Sequence, residues 1–125
     1  MPAQSLNGAR VLVVEDEPLI AYDIREGLAD PGAVVVGPAA TVDKALSLAD
    51  ANDLSAAILD VRLDGETVFP VAAALSARSV PFVFHTGDAR GRDLCAADWP
   101  GSEVLSKPVG RAIIVATLIK LLAEN

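Results

Sequence analysis

Short apolar runs alternate along the chain with stretches in which apolar residues recur every three to four positions. Arg10–Glu15 holds four consecutive apolar residues, three of them Val, and reads as a strand buried on both faces. Pro18 follows where a first helical turn tolerates it, and Ile20, Ile24 and Leu28 give that helix one core stripe before Pro31-Gly32 stops it. Val34–Gly37 is a second short strand. Thr41 can cap a second helix, whose inward stripe is Val42, Ala45, Leu46 and Ala49. Ala56–Asp60 is a third strand and ends in an acid. The helix after it turns Val68, Val71, Ala72 and Leu75 inward and carries Pro70 near its start. Ser79-Val80-Pro81 leads into a fourth strand, Phe82–His85, Glu103–Ser106 is a short fifth, and Gly110–Ala123 is a last helix. Between Thr86 and Gly101 the periodicity fails. Gly87, Asp88, Arg90, Gly91, Arg92 and Asp93 read as loop, and Leu94–Asp98 allows at most a short helix. Met1–Gly8 is polar and reads as a disordered tail, leaving residues 9–125 as one domain.

Strictly alternating β and α elements predict an α/β fold, a parallel sheet with helices on both faces. Right-handed crossovers leave few strand orders for five strands. Such sheets bind ligands at the carboxyl ends of their strands, so the residues just past each strand carry the functional question.

Composition narrows it. The chain has 125 residues, one domain by size, and 52% hydrophobic content argues against disorder. Only 4% is aromatic, so Val, Leu, Ile and Ala must fill the core. A net charge of −7 speaks against direct nucleic-acid binding, which rests on Lys and Arg neutralising phosphates. The one cysteine, Cys95, excludes an internal disulfide and a Cys-cluster metal site and fits a reducing compartment. Apolar runs such as Val11–Val14 or Ala56–Leu59 are far short of the ~18 residues a membrane span needs. No basic segment followed by an apolar one opens the chain, so a cytoplasmic protein is expected.

The first strand runs into Glu15 and Asp16, the third ends in Asp60, the fourth in Thr86 and the fifth in Lys107-Pro108. Three carboxylates, a hydroxyl and an ammonium thus fall at one sheet edge. Clustered carboxylates repel unless a cation joins them, and hard oxygen donors of this number suit Mg²⁺. Lys107 supplies a point charge for an anionic oxygen, and Thr86 can donate a hydrogen bond to the same group. A carboxylate nucleophile, a metal and donors around the equatorial oxygens are what phosphoryl transfer requires. Each residue alone could be a helix cap or a solvated turn residue; the specificity lies in their falling at successive strand ends of one chain.

The chain resembles a response-regulator receiver domain of two-component signalling. The resemblance is carried by Val11-Leu12-Val13-Val14-Glu15-Asp16-Glu17-Pro18, Ile58-Leu59-Asp60-Val61, His85-Thr86-Gly87 and Ser106-Lys107-Pro108, and runs from about Arg10 to the last helix. It implies a flavodoxin-like, doubly wound sheet of order 2-1-3-4-5, here with a short or irregular fourth helix. It implies that Asp60 accepts a phosphoryl group from a phosphohistidine of a sensor histidine kinase or a histidine phosphotransferase. Glu15 and Asp16 would be the acidic pair, with Asp16, Asp60 and the backbone carbonyl of Arg62 ligating Mg²⁺. Thr86 would be the switch hydroxyl, Lys107 would contact a phosphoryl oxygen, and Pro108 would follow a cis peptide bond.

The pattern departs from that family in places. Three residues before Lys107, where an aromatic usually swings with the threonine, stands Val104, so the segment Gly87–Gly101 becomes the candidate reporter. Asp64-Gly65 replaces the usual proline in the loop past Asp60, and Gly65 supplies the positive φ of a tight turn. Arg62 and Asp88 occupy positions that tune phosphoryl lifetime in the family. His85, Cys95 and Trp99 read as packing residues. Val115, Ile119 and Leu122 widen the last helix's apolar band beyond the stripe Ile114, Leu118 and Leu121, which offers a contact surface for a second copy or a partner.

The chain leaves no room for an output domain after its last helix, so a single-domain receiver signalling to a downstream protein is expected, non-enzymatic apart from its own phosphorylation and dephosphorylation. A Mg²⁺-dependent aspartyl phosphotransferase is disfavoured by Arg62, where such enzymes carry a second acid. A flavin or nucleotide binder is disfavoured because no G-x-G-x-x-G or P-loop motif is present. The third alternative is a receiver-like scaffold independent of phosphorylation, against which the full acid set argues.

Overall fold

The computed structural model of the chain describes residues 6–124. Five strands, β1 (Arg10–Val14), β2 (Val34–Ala39), β3 (Ala56–Asp60), β6 (Phe82–Thr86) and β7 (Val104–Ser106), pair in parallel in the order β2-β1-β3-β6-β7. This is the 2-1-3-4-5 order. A separate two-residue pair, β4 (Arg62–Leu63) and β5 (Glu66–Thr67), forms an antiparallel hairpin after β3. The helices are α1 (Pro18–Ala29), α2 (Val42–Ala51), α3 (Phe69–Ala77), α4 (Ala89–Asp98) and α5 (Arg111–Ala123).

The pleat divides the core in two. Leu12 and Val14 of β1, Ala57 and Leu59 of β3 and Phe84 of β6 face α2, α3 and α4. Val11 and Val13, Ala56 and Ile58, and Val83 face α1 and α5, where Ile24, Leu28, Ile114 and Leu118 meet them. β3 is buried along its whole length, as a central strand covered on both faces must be. The stripes of α1, α2 and α3 fall as their spacing predicts, and Thr41 caps α2 by accepting from the Lys44 N–H at 3.1 Å. β2 continues to Ala39 through a cis Gly37–Pro38 bond. The proline is tolerated because β2 is an edge strand.

Three expectations need correction. The fourth helix is regular, ten residues long, and begins at Ala89 rather than in the Leu94–Asp98 stretch. Asp88 starts it by accepting from the Gly91 N–H at 2.7 Å. The helix buries only Gly91 and Cys95, one turn apart, so its charged remainder hides the periodicity. Trp99, just past its end, stacks edge-on against Phe82 and Phe84 at 5.6 and 6.4 Å, which anchors the segment to the sheet.

Secondly, the tail expectation fails for its described part. Leu6 is fully buried in the α1/α5 half of the core and Gly8 donates to the Gly32 carbonyl, whereas Met1–Ser5 lie outside the described residues. Thirdly, residues 62–67 form a hairpin rather than a plain loop. Asp64 (φ 46°) and Gly65 (φ 84°) supply the two left-handed residues that a two-residue hairpin turn demands, and Leu63 drops into the core. On α5, Val115, Ile119 and Leu122 are half-buried against the core, and Ile113 is its exposed large apolar residue.

Candidate functional site

Strand periodicity positions the site. One residue past β1, Glu15 continues the face of Val11 and Val13. Asp60 continues that of Ala56 and Ile58, and His85 that of Val83. Asp60 and His85 are direct register partners on neighbouring strands. The acids of β1 and β3 and the histidine of β6 therefore converge at the carboxyl edge, and Lys107 reaches them from just past β7.

The Lys107 ammonium lies 2.9 Å from Glu15 Oε1 and 3.4 Å from Asp60 Oδ1. Glu15's side chain is fully buried, and its other oxygen, Oε2, accepts from the Glu17 N–H at 3.2 Å. Asp16 is half-buried, and its Oδ2 accepts from the Asp64 N–H at 3.2 Å, so the hairpin turn holds this carboxylate. Glu15, Asp16 and Asp60 can each aim one oxygen so that all three lie within 4.8 Å of one another.

One ammonium does not balance three carboxylates. Burial, and then the negative charge of Glu15, push the Asp60 carboxyl up to about 7 against the opposing pull of Lys107. Burial pulls the Lys107 ammonium down, but its hydrogen bond to Glu15 and the charges of Asp60 and Glu15 outweigh that and hold it above its ordinary value. His85 is driven down to about 4, first by burial and then by the Lys107 charge, so its imidazole is neutral at physiological pH. Its Nδ1 stands 3.8 Å from Glu15 Oε1, and among the described residues neither ring nitrogen has a hydrogen-bond partner.

Thr86 is buried and turns to the opposite face, toward α4. A methyl group at position 91 would overlap its hydroxyl, so the first turn of α4 accommodates Thr86 only because residue 91 is glycine. The Asp88 carboxylate that caps this turn also pairs with the Arg62 guanidinium across the cleft at 3.6 Å, both side chains about half exposed. Arg92 donates to Ser106 Oγ at 2.6 Å, which ties α4 to β7. Val104 is half-buried against the α2/α3/α4 half of the core. The Lys107–Pro108 bond is cis. A groove of about 400 Å³ opens beside the acids, between His85, Lys107 and Pro108 and the apolar flanks of α1 and α5.

All the strand-end residues singled out by the pattern, Glu15, Asp16, Asp60, Thr86 and Lys107, thus sit at one edge. Three contributors escape a reading by strand ends. The Asp64 N–H and Gly91 act through backbone geometry, though Asp-Gly is itself a hairpin signal. His85 reads from the sequence as a packing residue; the signal that could have found it is its period-two spacing from Val83, which places it on the face of the acids.

The model of the response regulator receiver domain matches residues 11–119. TcrA of Mycobacterium tuberculosis, a transcriptional regulatory protein, is 33% identical over 106 residues, covering 82% of this chain and 42% of that protein. The transcriptional regulatory protein PdtaR of the same species is 32% identical over 102 residues, covering 79% and 49%. The chain thus spans about half the length of the curated relatives it matches. Among solved structures, the response regulator PhyR of Brucella abortus superposes with a TM-score of 0.82 at 28% identity over 94% of this chain and 49% of that one. With its sheet order, its acidic edge and this match along most of its length, the chain belongs to the response regulator receiver domain family.

Proposed function

We propose that this protein is a phosphoacceptor. Asp60 takes a phosphoryl group from a phosphohistidine of a histidine kinase or phosphotransferase, and the altered surface signals to a downstream protein. The observation that carries this reading is the convergence of Glu15, Asp16 and Asp60 within one cation's reach, with the Lys107 ammonium 3.4 Å from the Asp60 carboxylate. In the transfer an Asp60 oxygen attacks phosphorus, the P–N bond of the donor breaks, and the donor imidazole leaves with its electron pair and takes up a proton. Lys107 meets the negative charge that arrives with the phosphoryl group.

The donor set fits Mg²⁺. It consists of hard oxygens, and the surplus negative charge that pushes the Asp60 carboxyl up is what a divalent cation removes. Asp16, Asp60 and the Arg62 carbonyl would hold the ion, with Glu15 completing the acidic set. When bound it would supply charge neutralisation at the equatorial oxygens.

The reporter in this reading is α4, since Val104 lacks the bulk for the usual aromatic exchange. Thr86 fills the notch at Gly91. When its hydroxyl turns to a phosphoryl oxygen the notch empties, and the Asp88-capped first turn of α4 is free to resettle. Gly91→Ala is therefore expected to cost about 1–2 kcal/mol in the wild-type background, despite the better helix propensity of alanine. In the Thr86→Ala background, which removes the hydroxyl overlap but keeps a Cβ at 3.1 Å, the same change is expected to cost clearly less. Urea denaturation of the four proteins measures the difference, and an equal cost in both backgrounds would refute the notch.

The function itself is tested by incubating the protein with Mg²⁺ and acetyl phosphate and reading its intact mass beside Asp60→Asn. One labile phosphoryl adduct is expected on the wild type alone. An unchanged wild-type mass, under conditions where a control receiver reacts, would favour a scaffold that works without phosphorylation.

A further inference from the structure

We propose that His85 is a positioning residue of this site, one that takes over the buried Glu15 carboxylate when Lys107 turns to the phosphoryl group on Asp60. The inference rests on the phosphoacceptor reading above. His85 is 3% exposed, and neither of its ring nitrogens finds a partner among the described residues. A polar ring buried this way costs about 1–3 kcal/mol that an apolar side chain in its place would not. That cost has a use if the ring is satisfied in the second state of the site.

The geometry points to that state. His85 Nδ1 is 3.8 Å from Glu15 Oε1, about 1 Å beyond hydrogen-bond distance. The same oxygen holds the Lys107 ammonium at 2.9 Å. Two nitrogens thus face one oxygen, which the ammonium holds as an ion pair without hydrogen-bond geometry. A phosphoryl group carries up to about two negative charges where the Asp60 carboxylate carried one, and Asp60 Oδ1 is already 3.4 Å from Lys107. A short swing of the ammonium meets them. It also strips Glu15, whose side chain is fully buried, of its ion pair. An unpaired charge there is costly, and Nδ1–H of the neutral imidazole is the donor poised to replace the lysine. No proton changes hands: His85 keeps its Nδ1 hydrogen and donates it. If the ring merely fills space, phenylalanine serves as well.

His85 is the single histidine of the chain, so its ring signals are unambiguous. The test follows the ¹⁵N-labelled imidazole by NMR, with and without Mg²⁺ and acetyl phosphate, and reads the intact mass of the same sample. The expected result is a slowly exchanging Nδ1–H signal that emerges with the phosphoryl adduct. In parallel, His85→Phe is expected to shorten the adduct half-life or slow its formation by about tenfold, and His85→Asn, whose amide N–H can stand where Nδ1–H stood, to restore most of the loss. Ring signals that stay unchanged while the mass shows a full adduct would overturn the proposal, as would phosphorylation and decay in His85→Phe equal to wild type. Absence of any adduct would instead refute the phosphoacceptor reading, and this inference with it.

Discussion

Replacing Lys107 by methionine is expected to destabilise the protein by about 2–3 kcal/mol at pH 8. Methionine keeps the apolar stem and removes the ammonium. Glu15, fully buried, and Asp60, with a side chain 9% exposed, then face each other without a cation. Breaking a buried ion pair by deleting one partner ordinarily costs about 3–5 kcal/mol. The loss is smaller here because Asp60 can take up a proton, its carboxyl already standing near 7. For the same reason the penalty shrinks at pH 5, where Asp60 is neutral in both proteins. Urea denaturation in EDTA at the two pH values measures both effects, and a variant as stable as wild type at pH 8 would mean that Lys107 does not balance these acids.

The opposite sign is expected for Asp60→Asn. The Asp60 carboxyl is raised from 3.8 to about 7, so the folded protein binds its proton more tightly than the unfolded chain does. Stability therefore falls as pH rises from about 4, and the loss is complete above about 7. Asparagine removes the charge and keeps the shape. The variant should match wild type near pH 4 and exceed it by about 2 kcal/mol at pH 8 without divalent cations. Millimolar MgCl₂ should narrow the gap by stabilising wild type preferentially. Equal urea midpoints at pH 8 in EDTA would contradict the account of a site loaded with unbalanced charge.

The fold was legible because its central strands are buried on both faces and so read as unbroken apolar runs, Val11–Val14 and Ala56–Leu59 among them. The acidic edge was legible because Glu15, Asp16 and Asp60 stand directly where those runs stop. Helix α4 was not, since its buried residues are a glycine and a cysteine, which carry little apolar signal, and its cap is an aspartate inside a charged stretch. Leu6 stands alone among polar neighbours, and only the tertiary fold shows that the α1/α5 half of the core needs it. The Asp64-Gly65 turn carried its own hairpin signature, but the contact from its N–H to Asp16 joins segments 48 residues apart. Gly91 is meaningful only against Thr86, a contact across two elements that no single-element pattern encodes.

The central claim is that Asp60, and not another carboxylate of the edge, is the atom donor that phosphorus reaches. Borohydride reduces an aspartyl phosphate to the alcohol, leaving homoserine in the chain and releasing phosphate. After treatment with Mg²⁺ and acetyl phosphate, fragmentation of the reduced protein is expected to find homoserine at position 60 and intact acids at 15 and 16. Homoserine at another aspartate, or an unaltered residue 60 in a protein that carries the phosphoryl mass, would contradict it.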